Sequence, residues 1–327
     1  MKAIVCEKYG SPDNLRLEEI EKPTPGDDEA LVKVYAASVN FNNLIIVKGE
    51  PLVGRLFTGL LKPKIKIPGN DIAGKVEAVG GNVKNLKPGD DVFADTSECG
   101  FGAFAEYVAV PANILTPKPV NISFEEAAAV PEAALVALQA LRNKGPIEEG
   151  QKVLIYGASG GIGTFAVQIA KYFGAEVTGV CSSANFDLVL SIGADHVIDY
   201  TKEDLNKIID RYDLIIATAG YRSIFDFKRA LKTGGIYTAT GGSMKQIFQA
   251  MLLGPFISII GNKKLGSMLV KPNRDLSFMK EIIESDKIKP VIDRRYKLHE
   301  IAEALKYYGK GHARGKVIIS IEHDNNY

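Results

Sequence analysis

Residues 153–182, VLIYGASGGIGTFAVQIAKYFGAEVTGVCS, constrain the fold more than any other stretch of the chain. Residues 153–156 are a short apolar run of the kind that a strand buried on both faces requires, and glycines follow at 157, 160, 161 and 163. A helix then reads from the spacing of Ile162, Phe165, Ala166, Ile169, Ala170 and Phe173, with Gly174 where a C-cap belongs. Residues 176–181 supply a second strand. A glycine turn between strand and helix lets backbone N–H groups approach a pyrophosphate, and the helix dipole favours that charge. The loop Gly157-Ala158-Ser159-Gly160-Gly161-Ile162-Gly163 departs from strict G-x-G-x-x-G spacing, yet it stands in the strand–turn–helix–strand context that such a motif needs. It implies a dinucleotide site.

The rest of the chain divides around this unit. Residues 1–121 are β-rich, with β-favouring runs at 30–37, 72–79 and 105–110 separated by Pro and Gly turns. Residues 55–66 form an apolar and basic insertion that reads equally as the wall of a cleft or as a surface loop. From 124 onward helix and strand alternate: an alanine-rich helix at 125–141 interrupted at Pro131, then strands at 196–200, 212–219 and 235–240, separated by helices near 202–209 and 224–231. Such alternation implies right-handed crossovers and a doubly wound parallel sheet. The tail holds a helix at 275–284, Val291-Ile292, a helix at 298–307 and a strand at 316–321. It is too small for a domain and is expected to pack back on the β-rich part. The α/β chain thus divides into a substrate domain, 1–122 with 272–327, and a cofactor domain, 123–271, with a cleft between them.

Forty basic against thirty-nine acidic residues leave a net charge of +1, so no global attraction to nucleic acid or an anionic membrane is expected. Any positive patch must be local. The N-terminus has too short an apolar run for a signal peptide, and Cys6, Cys99 and Cys181 are widely spaced with no C-x-x-C, which suits a reduced, cytoplasmic protein. The most apolar stretch, 247–261, is broken by Gly254 and Pro255 and is shorter than the roughly 20 residues of a membrane span. It reads as buried or interface structure.

Seven motifs in order, SVNFNN (38–43), PGNDIAGKVEAVG (68–80), LKPGDDVF (86–93), GAFAEYV (102–108), YGASGGIGTFAVQIAK (156–171), GADHVIDY (193–200) and HARGKVII (312–319), resemble the medium-chain dehydrogenase/reductase superfamily. The resemblance is to its zinc-independent branch of NADPH:quinone oxidoreductases and enone reductases. It implies a GroES-like β-rich catalytic domain beside a Rossmann domain, and a homodimer joined through sheet edges, for which the apolar region 257–270 is a candidate. It also implies a nicotinamide contact for Asn40, a close backbone approach at Gly241 and Gly242, and positions near the adenosine end for Ser182, Ser183, Asn185, Tyr200 and Arg314. Lys316 joins the implied cofactor contacts.

Residue inventory speaks to the metal. Zinc members of the superfamily use Cys, His and an acidic or further Cys ligand. Here no histidine precedes His196, the usual Cys position falls in 40–43, the usual G-H-E reads Gly69-Asn70-Asp71, and Cys99 has no neighbouring thiols. No zinc is expected, and without Lewis acidity simple alcohol oxidation is disfavoured. At the end of the second strand no acid stands ready for a ribose 2′-OH; Ser182 and Ser183 instead suit a phosphate, so NADPH is expected over NADH. Where relatives carry a base, a hydroxyl and a tyrosine, this chain has Ala184, Val136 and the pair Leu44-Ile45. Glu132, beside Pro131 in an alanine-rich helix, is a candidate proton donor if apolar neighbours raise its pKa, and a solvated helix-face residue otherwise. The expected activity is hydride transfer from NADPH to a quinone or an α,β-unsaturated carbonyl. Metal-free reduction of saturated aldehydes or ketones, and a low-turnover NADPH-binding sensor or scaffold, stay open as alternatives.

Overall fold

The computed structural model describes residues 1–142, 147–203 and 207–323. They form two compact units: one comprises 1–132, 272–285 and 290 to the C-terminus, the other 133–271 with 286–289. In chain order the first unit begins with β1 (Lys2–Val5), β2 (Arg16–Glu19), β3 (Glu29–Val39), α1 (Phe41–Lys48), the one-turn α2 (Arg55–Thr58), β4 (Asp71–Val79), β5 (Asp91–Asp95), β6 (Tyr107–Pro111), β7 (Thr116–Pro117) and α3 (Phe124–Ala128). Helix α4 (Pro131–Arg142) starts with a proline, whose missing N–H is unneeded at that position. The second unit continues with β8 (Lys152–Tyr156), α5 (Gly161–Tyr172), β9 (Glu176–Cys181), α6 (Phe186–Ser191), β10 (His196–Asp199), β11 (Tyr212–Ala217), α7 (Ile224–Ala230), β12 (Leu231–Ala239), α8 (Met244–Ile260) and β13 (Lys264–Ser267). The tail adds α9 (Leu276–Glu284), β14 (Ile292–Lys297), α10 (Ile301–Gly309) and β15 (Lys316–Ser320).

In the first unit β3 is the organising strand. Its eleven residues pair antiparallel with β4, β6 and β15. Val317 and Ile319 of β15, with Ile301 and Leu305 of α10, join Val32, Val34 and Ile72 in one apolar core. The tail therefore completes this unit, because β15 supplies a partner that β3 otherwise lacks.

In the second unit the parallel strands run in the order β10-β9-β8-β11-β12-β13. Counted from β8 this is 3-2-1-4-5-6, the doubly wound order whose direction reverses between β8 and β11. Central β8 is flanked on both sides, and Val153, Leu154, Ile155 and Tyr156 are all buried, as their unbroken apolar character requires.

Several expectations need correction. The stretch at 247–261 is neither broken nor buried: α8 runs through Pro255, and Phe256, Ile259 and Ile260 are exposed. Strand β12 starts at Leu231, directly after α7, four residues ahead of its expected start at 235. The short α6 was not foreseen, and the segment from Ile292 to Lys297, of which the sequence reading singled out only the start, is the strand β14. The helix expected near 202–209 falls partly on 204–206, outside the described residues.

Candidate active site

Strand register builds the site in the first unit. Ser38 of β3 faces Asp71 of β4, and Asp71 faces Asp95 of β5. On the other side of β3, Val39 faces Val317, so the residues one step beyond this pair, Asn40 and Lys316, meet at the strand ends. Four neighbouring strands thus deliver Asn40, Asn70, Asp71, Asp95 and Lys316 to one place, and the first turn of α4 adds Glu132.

Most polar groups there are engaged with one another. Asp71 Oδ2 accepts from Ser38 Oγ (2.7 Å), Asn40 Nδ2 (2.8 Å) and Lys316 Nζ (3.3 Å), while its Oδ1 accepts from the backbone N–H of Glu132 (3.0 Å). Lys316 Nζ also donates to Asn40 Oδ1 (2.5 Å). Asn43 Oδ1 accepts from Asn40 N–H (2.8 Å), and Asn43 Nδ2 donates to Asn70 Oδ1 (2.8 Å). Asn70 Nδ2 lies between carboxylates, donating to Glu132 Oε2 (2.8 Å) and Asp95 Oδ1 (3.1 Å). Such mutual satisfaction is what a buried charged network requires, and the Glu132 Oε1 atom stands outside it.

Three carboxyl groups and one ammonium cannot all stay ionised in so little solvent, and the protons settle accordingly. Burial, then the charges of Asp71 and Asp95, push the Glu132 carboxyl up to about 8 against the opposing pull of Lys316 and Asn70. Burial and Asp71 raise Asp95 to about 6, held back by Ser97 and Asn70. Glu132 is not sealed: its residue surface is of intermediate exposure although its carboxyl is closely surrounded. With Oε2 occupied by Asn70, Oε1 has no hydrogen-bond partner among the described residues and is the oxygen free to carry a proton. Tyr308 of α10 feels the Glu132 charge, and burial with that charge moves its phenol upward, so it remains a donor.

Two expected roles change. Lys316 is almost fully buried and spends its ammonium on Asn40 and Asp71, so it supports the network rather than offering a cofactor contact. Asn40 is likewise buried, with its amide committed to Lys316, Asp71 and Asn70. Asp95, Ser38 and Tyr308 were not foreseen as part of a site. Nothing in their local sequence marks them; only the pairing of β3, β4 and β5 and the return of α10 reveal them.

The second unit presents different material. Gly157 has φ of 90°, and a Cβ there would lie 2.6 Å from Ala219 Cβ; at Gly163 it would lie 2.0 Å from Gly157 O. Both glycines are demanded by packing at the β8/β11 crossing. At Gly160 the nearest atom would be 3.6 Å away, so no neighbouring atom of the chain demands that glycine. The N–H groups of Gly157 and Ala158 are taken by Val180 O, which leaves the first-turn N–H groups of α5, from Gly161 to Gly163, as the open donors. Asn185 Nδ2 ties Ser159 Oγ (3.1 Å) to Ser182 Oγ (3.3 Å), and Asn185 Oδ1 is buried without a partner. Ser159, Ser182, Ser183, Asn185 and Tyr200 therefore gather at the carboxyl ends of β8, β9 and β10. An unforeseen acid, Asp199, stands beside them; hydrogen bonds from Thr201, with smaller help from Ser183 and Lys202, hold it down at about 2. A Cβ at Gly241 would lie 2.3 Å from Thr218 O and one at Gly242 2.4 Å from Gly220 O, so packing within this unit already accounts for both. Arg314 belongs to the first unit, where its backbone N–H donates to Asp293 (3.0 Å). An open helix start, a glycine with room before it and an unpartnered amide oxygen fit a dinucleotide.

The profile of the alcohol dehydrogenase GroES-like domain matches residues 26–120, and that of a zinc-binding dehydrogenase matches 192–319. A 2-methylene-furan-3-one reductase of Solanum lycopersicum is 35% identical over 98% of this chain and 79% of its own length. This chain belongs to the medium-chain dehydrogenase/reductase superfamily. The NADPH-dependent alkenal/one oxidoreductase of Arabidopsis thaliana is 34% identical over the same shares, 98% and 79%. Among solved structures, the quinone oxidoreductase from Coxiella burnetii superposes with a TM-score of 0.86 at 29% identity, covering 98% of this chain and 99% of that one. Both the GroES-like domain and the Rossmann sheet are thereby placed within a superfamily that contains zinc enzymes. Among the described residues of this member, no three His, Cys, Asp or Glu side chains group so as to hold a metal ion.

Proposed function

We propose that this protein reduces α,β-unsaturated carbonyls or quinones, with NADPH as hydride donor and Glu132 as proton donor. The observation that carries the reading is the placement of the Glu132 carboxyl beside Asn70 with its Oε1 free, where burial and then the charges of Asp71 and Asp95 push its pKa up to about 8. Full-length similarity to enzymes named for enone and quinone reduction supports it. Bound NADPH supplies a hydride from its nicotinamide ring. Hydride addition to an enone leaves an enolate, which Glu132 protonates; with a quinone the proton completes the hydroquinone, and solvent then reprotonates the carboxylate. Gly160, the N–H groups of Gly161 to Gly163, and the group formed by Ser159, Ser182, Ser183, Asn185 and Tyr200 would hold the dinucleotide, with the two serines favouring the 2′-phosphate.

The cluster does this without a metal. Asp71 is already neutralised by the chain's own cation, Lys316, which points into the network and so does not polarise a substrate oxygen. Conjugated acceptors need no such polarisation because their negative charge delocalises. Pairing of two copies along β13, the outer strand of the sheet, belongs to the same proposal. The test is NADPH oxidation over an alkenal, an enone, a benzoquinone and a saturated aldehyde, with NADH as control and metal content measured on the same sample. Turnover of the conjugated acceptors alone is expected. Equal turnover of the saturated aldehyde, or activity that follows bound metal, would contradict the proposal.

A further inference from the structure

A second open donor reaches the cluster from α10. This helix turns Ile301, Ala304, Leu305 and Tyr308 inward as one stripe, with the first three buried and Tyr308 partly buried against the same core. Its last turn rests on α1: a Cβ on Gly309 would lie 3.3 Å from Leu44 Cδ2. Leu44 follows Asn43, whose side chain leads through Asn70 to Glu132 Oε2. The Tyr308 phenol therefore approaches the cluster from the α1 side, close enough for the Glu132 charge to oppose its ionisation.

The two adjacent tyrosines of α10 are used differently. Tyr307 donates to Asp293 Oδ2 (2.6 Å), while the Tyr308 hydroxyl has no hydrogen-bond partner among the described residues and its residue keeps some surface open to solvent. Leaving a largely enclosed hydroxyl without an acceptor carries a cost, so its acceptor is to be sought outside the chain. The amides and the ammonium of the cluster are engaged with Asp71, Asp95, Asn70 and each other. Glu132 Oε1 and the Tyr308 hydroxyl are not. Fixed donors with no acceptor of their own suit an oxygen that becomes negative as a reaction proceeds.

Reduction of a conjugated carbonyl creates such an oxygen. Hydride forms a C–H bond at the β-carbon, the C=C pair moves toward the carbonyl carbon, and the carbonyl π pair moves onto oxygen. We propose that Tyr308 is a second catalytic residue, whose hydroxyl donates to the acceptor's carbonyl oxygen and stabilises the charge arriving there, while Glu132 supplies the proton. Tyr308 keeps its own proton throughout; the proton from Glu132 completes the reduced product, and solvent restores the carboxyl. This role for Tyr308 rests on the reduction proposed above, because it needs an acceptor whose oxygen gains charge.

Tyr308→Phe removes the donor and keeps the ring, so thermal unfolding and NADPH affinity should match wild type. With cinnamaldehyde as acceptor, kcat is expected to fall about a hundredfold, and kcat/KM by the same factor. The loss of activity past about pH 8 should be retained, since it belongs to Glu132. In complexes with NADP+ and cinnamaldehyde, Raman difference spectra should show the carbonyl stretch at lower frequency in wild type than in the variant. An active wild type whose kcat and carbonyl stretch are both matched by Tyr308→Phe would overturn this role and leave the reduction standing. So would a variant whose alkaline limb has moved while kcat below that limb is unchanged, because Tyr308 would then only tune Glu132. A wild type that oxidises NADPH with no conjugated acceptor would overturn the reduction itself, and the Tyr308 role with it.

Discussion

At the ends of β3, β4, β5 and β15, ionisable side chains crowd within hydrogen-bonding reach of one another, whereas at the end of β8 the chain offers glycines and open backbone. The first region places its chemistry in protonation states and ties its amides, carboxylates and ammonium to one another. The second places its chemistry in room and in unpaired N–H groups, so it works by what is absent at Gly160. The contrast teaches how each region should fail: the cluster through electrostatics and proton uptake, the turn through steric crowding.

The largest effect is expected at Lys316. Lys316→Met removes the cation facing Asp71 and should destabilise the protein by about 3–5 kcal/mol in urea melts, the penalty of leaving a buried charge unpaired. A loss below about 1 kcal/mol would mean that the ammonium does not hold the cluster together. At the turn, Gly163→Ala would set a Cβ 2.0 Å from Gly157 O and is expected to cost about 1–3 kcal/mol. Gly160→Ala should stay within about 1 kcal/mol of wild type while weakening NADPH binding about tenfold, measured by titration calorimetry. Equal stability losses for the two substitutions would erase the distinction between a packing glycine and a ligand glycine.

The pH dependence of folding sharpens the contrast from the other side. Glu132 and Asp95 are raised in the folded state from 4.5 to about 8 and from 3.8 to about 6, so the native protein holds protons that the unfolded chain releases. The stability they contribute is full below about pH 4 and is lost as pH rises toward 8. Glu132→Gln should flatten this decline by about 1–2 kcal/mol, a figure reduced for the carboxyl's partial access to solvent. Melting curves from pH 5 to 8.5 provide the check. The smallest effect is expected at the adenosine end, where Ser182→Ala should reduce the preference for NADPH over NADH severalfold; an unchanged ratio of kcat/KM values would remove that hydroxyl from phosphate recognition.

The two regions also differ in how much the sequence discloses. The turn is local, so its glycines, its helix and both flanking strands could be read within about thirty residues. The cluster is assembled by register. Asn40, Asn70 and Asp71 stood in recognisable motifs, but the sequence could not show that Lys316, 276 residues from Asn40, meets them. Nor could it show that Asp95 lies one strand away from Asp71. Glu132 could be named as a candidate from its apolar helix, although the main protein charges acting on it, Asp71, Asp95 and Lys316, come from other elements. Helix α8 misled for a related reason. Pro255 read as a break and the apolar run as buried or interface structure; an inner stripe of Gln246, Ala250 and Gly254 turns the large side chains outward, which rules out the first of those two readings.

Burial, reinforced by the crowded carboxyl groups, keeps Glu132 protonated so that it can deliver a proton. The most direct test is the pH dependence of kcat for reduction of an alkenal by NADPH, measured for wild type and Glu132→Gln. Wild type is expected to lose activity as pH rises past about 8. The variant should be slower by about a hundredfold and show no such limb, since Gln has no proton to lose. The same turnover and the same alkaline limb in both proteins would contradict the account.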